Sequence, residues 1–254
     1  MKYCAQCKEP MMPADQFCGS CGVSVVPETS LEDKRSITMV IAFYAATLLF
    51  LGISYVVYLE TDVITVGTEL TLEIIFVLLI VGFSLTDLRN IIPLYGFKLV
   101  DWKGLLFSLV FPVLSAFLVI LVLGKVNVLL FDEDPLIMAE YAFYDRPFLW
   151  AFLFICIVAP VFEELAFRGF LFNHLQRVAN VKTTILATAF LFALIHLSYL
   201  SIIWIFPFGV VLGYLRHKYK TLWLGMIVHF IHNSVVLIMD YKQYYDRWPL
   251  EQYF

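Results

Sequence analysis

Charge is what this sequence has least of. Only 15% of its 254 residues are Asp, Glu, Lys or Arg, while 61% are hydrophobic, and mean hydropathy is +0.85. Soluble domains average roughly 25% charged and roughly 45–50% apolar residues, so a water-soluble chain is excluded. A basic field is missing as well. The net charge is −4, the isoelectric point is about 5.7, and Lys and Arg sit in short clusters between apolar runs. Nucleic acid is therefore not an expected partner, because phosphate backbones are bound by concentrated positive charge. No cleavable leader is expected either, since the first stretch is polar and Cys-bearing where a signal needs a basic start and an apolar core. The N-terminus is expected to stay on the side where it is made.

What the N-terminus does hold is Cys4, Cys7, Cys18 and Cys21, two Cys-x2-Cys pairs separated by ten residues. Each pair can present two thiolates to one tetrahedral Zn²⁺. Gly19 and Gly22 flank the second pair, where a tight knuckle needs positive φ. A fragment this short cannot build a core without a cross-link, so residues 1–24 are expected to be a structural zinc ribbon. Two disulfides would need an oxidising compartment. A catalytic zinc is disfavoured here because four thiolates close the coordination shell. The ribbon is similar to short zinc ribbons at bacterial protein N-termini. Residues 25–35 read as a polar linker and 36–254 as a membrane domain.

From Ser36 onward, apolar runs recur that are long enough to cross a hydrocarbon core of roughly 30 Å as helices. Seven lie near 36 to 58, 70 to 88, 104 to 123, 147 to 175, 183 to 199, 201 to 216 and 221 to 240. The expected fold is all-α, a polytopic bundle of about seven transmembrane helices. Alternate loops are rich in Lys and Arg: Lys34 and Arg35, then Arg89, Lys98 and Lys103, then Arg177 and Lys182, then Arg216, Lys218 and Lys220. The positive-inside rule puts these, and the ribbon, in the cytosol, with Phe254 outside. The fifth and sixth runs are nearly continuous through Ser198 and Ser201 and can also be one bent or re-entrant segment.

Ionisable side chains inside spanning helices cost roughly 2.5–3.5 kcal/mol each, so segments that keep several are functional candidates. The fourth run holds Glu163, Glu164 and Arg168, the fifth His196, and the seventh His229, His232 and Asn233. On a helix only i, i+4 pairs stack, so Glu164 is expected to pair with Arg168, leaving Glu163 free as a general base. His229 and Asn233 share a helix face and form a plausible oxyanion-stabilising pair. A hairpin turning at 179 to 180 would place Glu163 and His196 at one depth, roughly 20–25 Å from the turn, with His229 roughly 15 Å in. His174, His217 and His232 are expected to be structural or interfacial, and Cys156 a packing residue. The aromatic excess, 24 Phe and 14 Tyr, fits membrane-interface belts and lipid-facing surface.

Taken in order, Glu-Glu-x3-Arg, Phe-x3-His, Phe-Gly-Val-Val-Leu-Gly-Tyr-Leu and His-x3-Asn resemble the CAAX-protease and bacteriocin-processing family (CPBP, Abi proteins) over about 147–240. The resemblance implies a type II CAAX prenyl endopeptidase-like fold and peptide-bond hydrolysis within the membrane. It gives Glu163 and His196 the activation of water, and His229 and Asn233 the oxyanion. Glutamate-dependent and metal-dependent catalysis both stay open, since Glu163, His196 and His229 can equally ligate a metal. The expected partners are membrane lipids, a protein or peptide substrate, and a cytosolic protein held by the ribbon. The alternative is a non-catalytic membrane scaffold or sensor whose polar cluster only holds helices together. A transporter lacks support, because no matching pair of interrupted half-helices is visible.

Overall fold

The structure is a computed structural model that describes all residues except 1, 5, 12–17, 23–30, 62–63, 132–135, 198 and 248–254. Phe254 and most of the expected linker lie outside the described residues. Two short strands, β1 (Lys2–Tyr3) and β2 (Pro10–Met11), pair antiparallel beside the cysteines. The remaining described elements are helical.

Helix α1 (Leu31–Glu60) begins within the expected linker, so residues 31–35 are already helical. Thr65 caps α2 (Val66–Leu85) by accepting from the Thr68 backbone N–H. The short α3 (Leu88–Ile91) and a 3₁₀ turn, Ile92–Tyr95, follow. Asp101 caps α4 (Trp102–Leu118), which runs through a wide π turn, Val119–Leu123, into α5 (Gly124–Phe131). After α6 (Ile137–Tyr141) the chain forms one long helix, Pro147–Val178. This helix is α7 (Pro147–Ala151), α8 (Ala159–Glu164) and α9 (Phe172–Val178), joined by wide turns over Phe152–Val158 and Leu165–Leu171. Asn180 caps α10 (Val181–Leu194), which returns as α11 (Tyr199–Tyr219) before α12 (Trp223–Arg247).

Among the described residues, five helices are long and apolar enough to cross a membrane: Glu32–Glu60, Val66–Leu85, Trp102–Leu129, Pro147–Val178 and Trp223–Arg247. The expected count of seven is thus approximate. The fifth and sixth runs form α10 and α11, an antiparallel hairpin in which Gly213 packs on Ile185 and Gly209 on Ala189. Only 14 residues long, α10 rises about 21 Å, short of the hydrocarbon thickness. The first two spans bury 17% and 6% of their apolar windows, the fourth and last 28% and 39%. The inner part of the bundle therefore comes from the C-terminal half, and α1 and α2 present Ile41, Leu49, Ile53 and Leu78 outward as an apolar surface suited to lipid.

Not all the aromatics serve that surface. Phe43, Phe167, Phe170 and Phe192 are fully buried and meet edge to face or tilted, with Phe83 beside them, tying α1 and α2 to the long helix and α10. Phe167 on Phe192, centroids 5.1 Å apart, is the register that a hairpin turning at 179 to 180 requires.

Candidate active site

Two wide turns frame the pair of glutamates. Before them, the Ala159 N–H bonds back five residues to the Phe154 carbonyl. That leaves the Ile155 carbonyl without a helical donor, because the residue five ahead of it is Pro160, which has no N–H. The orphan is satisfied from α12, where Asn233 Nδ2 donates to it at 2.9 Å. Proline and π turn therefore create an acceptor that docks the helix carrying His229. Wide turns of this kind are frequent at functional sites.

Glu164 and Arg168 are both wholly buried and make an i, i+4 ion pair at 2.8 Å. Arg168 also donates to the Gly209 carbonyl, and its guanidinium lies 4.3 Å from the Phe192 ring centre. The Gly-x3-Gly of α11 has its reason here: a Cβ at Gly209 would stand 3.1 Å from Ala189 and 3.2 Å from the guanidinium. A Cβ at Gly225 of α12 would overlap the Glu164 carboxylate, so this glycine admits the buried pair.

Glu163 points elsewhere, into a cavity of about 650 Å³. Its Oε2 has no hydrogen-bond partner among the described residues and lies 3.8 Å from His229 Nε2. The other ring nitrogen of His229 lies 3.7 Å from Glu164 Oε1, so the imidazole sits between two carboxylates at distances too long for direct hydrogen bonds. His196 and Asn233 line the same cavity, so all four residues singled out from the sequence are brought to one space. His196 does not lie within a helix: it stands in the turn after α10, its Nδ1 2.9 Å from the Phe192 carbonyl. Because a carbonyl only accepts, Nδ1 carries the proton and Nε2 keeps its lone pair.

The cavity also contains residues that sequence reasoning passed over. Glu73 of α2 lines it as well, with Asn127 and Tyr141. Glu73 carried a readable signal, an ionisable residue inside the second apolar run, the same feature that marked Glu163. His232, expected to be structural, lines the cavity while its Nδ1 is 2.8 Å from Ser115 Oγ of α4.

At the N-terminus the four Sγ atoms lie within 4.8 Å of one another, the only such group of three or more potential ligands among the described residues. The Cys4–Cys21 and Cys7–Cys18 sulfurs are 3.6 and 3.4 Å apart, far beyond the roughly 2.05 Å of a disulfide. Backbone N–H groups of Cys7 and Gln6 hold the Cys4 thiol down, at about 6, and those of Cys21 and Ser20 lower Cys18. Each knuckle closes with a left-handed residue, Lys8 at φ 64° and Gly22 at φ 71°, whose N–H returns to the first Cys carbonyl. Gly19, also expected there, has no positive φ. The donor set can hold a metal ion.

Comparison with known proteins supports the C-terminal half. Residues 145–235 match the family described as type II CAAX prenyl endopeptidase Rce1-like. Among curated proteins the chain is similar to YdiL of Bacillus subtilis, provisionally named a membrane peptidase: 26% identical over 84 residues, 33% of this chain and 34% of that protein. It is also similar to the UPF0177 protein YaiH of Lactococcus lactis, 31% identical over 106 residues, 40% of this chain and 44% of the relative. The matched segments thus cover less than half of either relative's length. No solved structure matches. The chain is a multi-pass membrane protein whose residues 145–235 are similar to the Rce1-like family and whose N-terminal cysteine cluster is fit for a metal.

Proposed function

We propose that the chain is an intramembrane endopeptidase that hydrolyses a peptide bond of a membrane-associated protein or peptide with a glutamate- and histidine-activated water. The observation that carries this reading is the Glu163 carboxylate, unpartnered and 3.8 Å from His229 in a shared cavity with His196 and Asn233. A buried polar group left without a partner is costly, which favours a role in chemistry over one in packing.

In the proposed reaction, water donates one proton to Glu163 as its oxygen bonds to the scissile carbonyl carbon. His196 Nε2 is the second acceptor that orients that water. The oxygen of the resulting tetrahedral intermediate takes its negative charge against N–H donors of His229 and Asn233. The carbon–nitrogen bond then breaks, and the proton held on Glu163 passes to the leaving amine. Glu164 and Arg168 position Glu163 without touching substrate. A second carboxylate, Glu73, faces the same space and is available to a cationic substrate group.

Metal-assisted hydrolysis is less well supported by the donor spacing, because Glu163, His196 and His229 do not converge as the four cysteines do. The cysteines are the proposed Zn²⁺ site, closed and structural. The basic loops favour a cell-membrane protein with its ribbon in the cytosol, where the ribbon has access to a protein partner. Residues 1–24, 25–35 and 36–254 remain the proposed ribbon, linker and membrane domain, with α1 reaching back into the linker.

The scaffold reading draws on the two interhelical bonds, Asn233 to Ile155 and His232 to Ser115, which hold helices whether or not chemistry occurs. Glu163→Gln separates the two. In native membranes the variant should retain bound substrate while turnover stops, and the captured peptides would identify the substrate. Undiminished turnover by folded Glu163→Gln protein would remove Glu163 from the chemistry, and absence of turnover in the folded wild type would decide for the scaffold.

A further inference from the structure

A second cavity, of about 370 Å³, lies outside the proposed active site, between the first turns of α1, the end of α2 and α9. Its walls include Glu32, Arg35, Ser36, Asp87, His174 and Arg177. Ser36 and His174 are 1% and 3% exposed, yet the Ser36 hydroxyl and His174 Nε2 have no hydrogen-bond partner among the described residues. Both omissions are unusual. Elsewhere on α1, Thr38 and Thr47 return their hydroxyls to the carbonyl one turn back, and Ser36 does not.

For His174 the missing partner is of known kind. Its Nδ1 is 3.3 Å from Arg177 Nη1. A guanidinium only donates, so Nδ1 is the acceptor and the ring proton is on Nε2. The cavity therefore contains two buried donors, an imidazole N–H and a hydroxyl, with nothing to receive them. Arg177 itself is occupied: its Nη2 pairs with Asp87 at 2.6 Å, and Asp87 is further held by Asn90 and Asn173. That pairing cancels the one buried carboxylate. Arg35, exposed at the rim, has no carboxylate within ion-pair distance among the described residues, and Glu32 is the opposing charge one turn before it.

We propose that this cavity binds a phosphate group, its oxygens accepting from His174 Nε2, Ser36 Oγ and Arg35. Donors arriving from two different helices suit a tetrahedral oxyanion better than a planar carboxylate, and the Arg fork matches phosphate geometry. The cavity is at the chain's basic end, beside Arg89 and Lys182 in sequence order, where anionic lipid headgroups gather if that end faces the cytosol. The phosphate is thus either that of an anionic lipid headgroup, unlike the phosphodiester of phosphatidylcholine that a quaternary ammonium neutralises, or a free phosphate. The inference does not depend on proteolytic activity.

The test uses the purified full chain in two arms. In zwitterionic detergent, thermal unfolding is followed against inorganic phosphate, with chloride at matched ionic strength as control. In nanodiscs, phosphatidylglycerol is compared with phosphatidylcholine. A rise in unfolding temperature with phosphate identifies the free anion; a rise confined to phosphatidylglycerol identifies the lipid headgroup. Arg35→Gln and Ser36→Ala should each weaken the response roughly tenfold or more in probe concentration, as for a lost hydrogen bond to a charged group. Glu32→Gln should strengthen it. Arg35 and Glu32 are exposed, so their variants are expected to fold. No response in either arm, or one that Arg35→Gln and Glu32→Gln leave unchanged, overturns the proposal.

Discussion

Glu163 and Glu164 are neighbours with opposite circumstances. Glu164 is sealed against Arg168, while Glu163 faces a cavity and an imidazole. Glu163→Gln keeps volume and polarity but removes the base, so turnover should fall roughly 10²–10⁴-fold with little change in folding. Glu164→Gln leaves Arg168 as an uncompensated buried charge, at a cost of about 3–5 kcal/mol, so detergent stability should drop instead. Turnover per folded molecule, measured beside thermal unfolding, separates the two; equal behaviour of both variants would contradict the assignment. The Glu164–Arg168 pair was legible in the sequence because i, i+4 spacing on a helix places side chains together. Glu73 was passed over although its signal was present, because α2 carries no His, Lys or Arg beside it, only Glu69 one turn earlier, and so lacks the mixed polar set that makes the later helices conspicuous.

At the scale of elements, the reading from regular helix geometry stops at the wide turns. Uniform rotation per residue gives no hint that Pro160 and the turn before it leave the Ile155 carbonyl exposed, or that Asn233 answers it. Asn233 is accordingly an anchor of α12 as well as a cavity residue. Asn233→Asp cannot donate to that carbonyl, so unfolding should be eased by about 1–3 kcal/mol in addition to any loss of turnover. A residue that served only the oxyanion would lower kcat and leave the unfolding temperature in place. A second clamp joins the end of α2 to α9 through Asp87. Burial pushes its carboxyl up, but hydrogen bonds from Asn90, Asn173 and Arg177 outweigh this and hold it below its ordinary 3.8. A depressed carboxyl contributes stability that is complete above its unfolded value and fades as pH falls through the folded one. The wild type should therefore lose stability below about pH 4 more steeply than Asp87→Asn. Parallel unfolding curves for the two proteins from pH 6 to pH 3 would remove Asp87 from that role.

For the whole molecule, composition and the long apolar runs made the membrane bundle legible, and Cys spacing did the same for the cluster of four thiols. Span count was less so, since a 14-residue helix that turns back beside His196 looks in sequence much like one that crosses. The cysteine cluster and the cavity are built from different residues, and this separation carries the last prediction. A four-thiolate site offers no open coordination position, so its metal has no access to chemistry. Removing residues 1–30 leaves the chain at the first residue of α1, Leu31, and takes away all four cysteines. Bound zinc, measured by elemental analysis, should fall from about one per chain to none, while turnover of a soluble test peptide stays within about twofold. Turnover of the natural membrane-bound substrate should fall further if the ribbon recruits it. Loss of test-peptide hydrolysis from a truncated protein that still unfolds at the wild-type temperature would show that the ribbon belongs to the catalytic machinery.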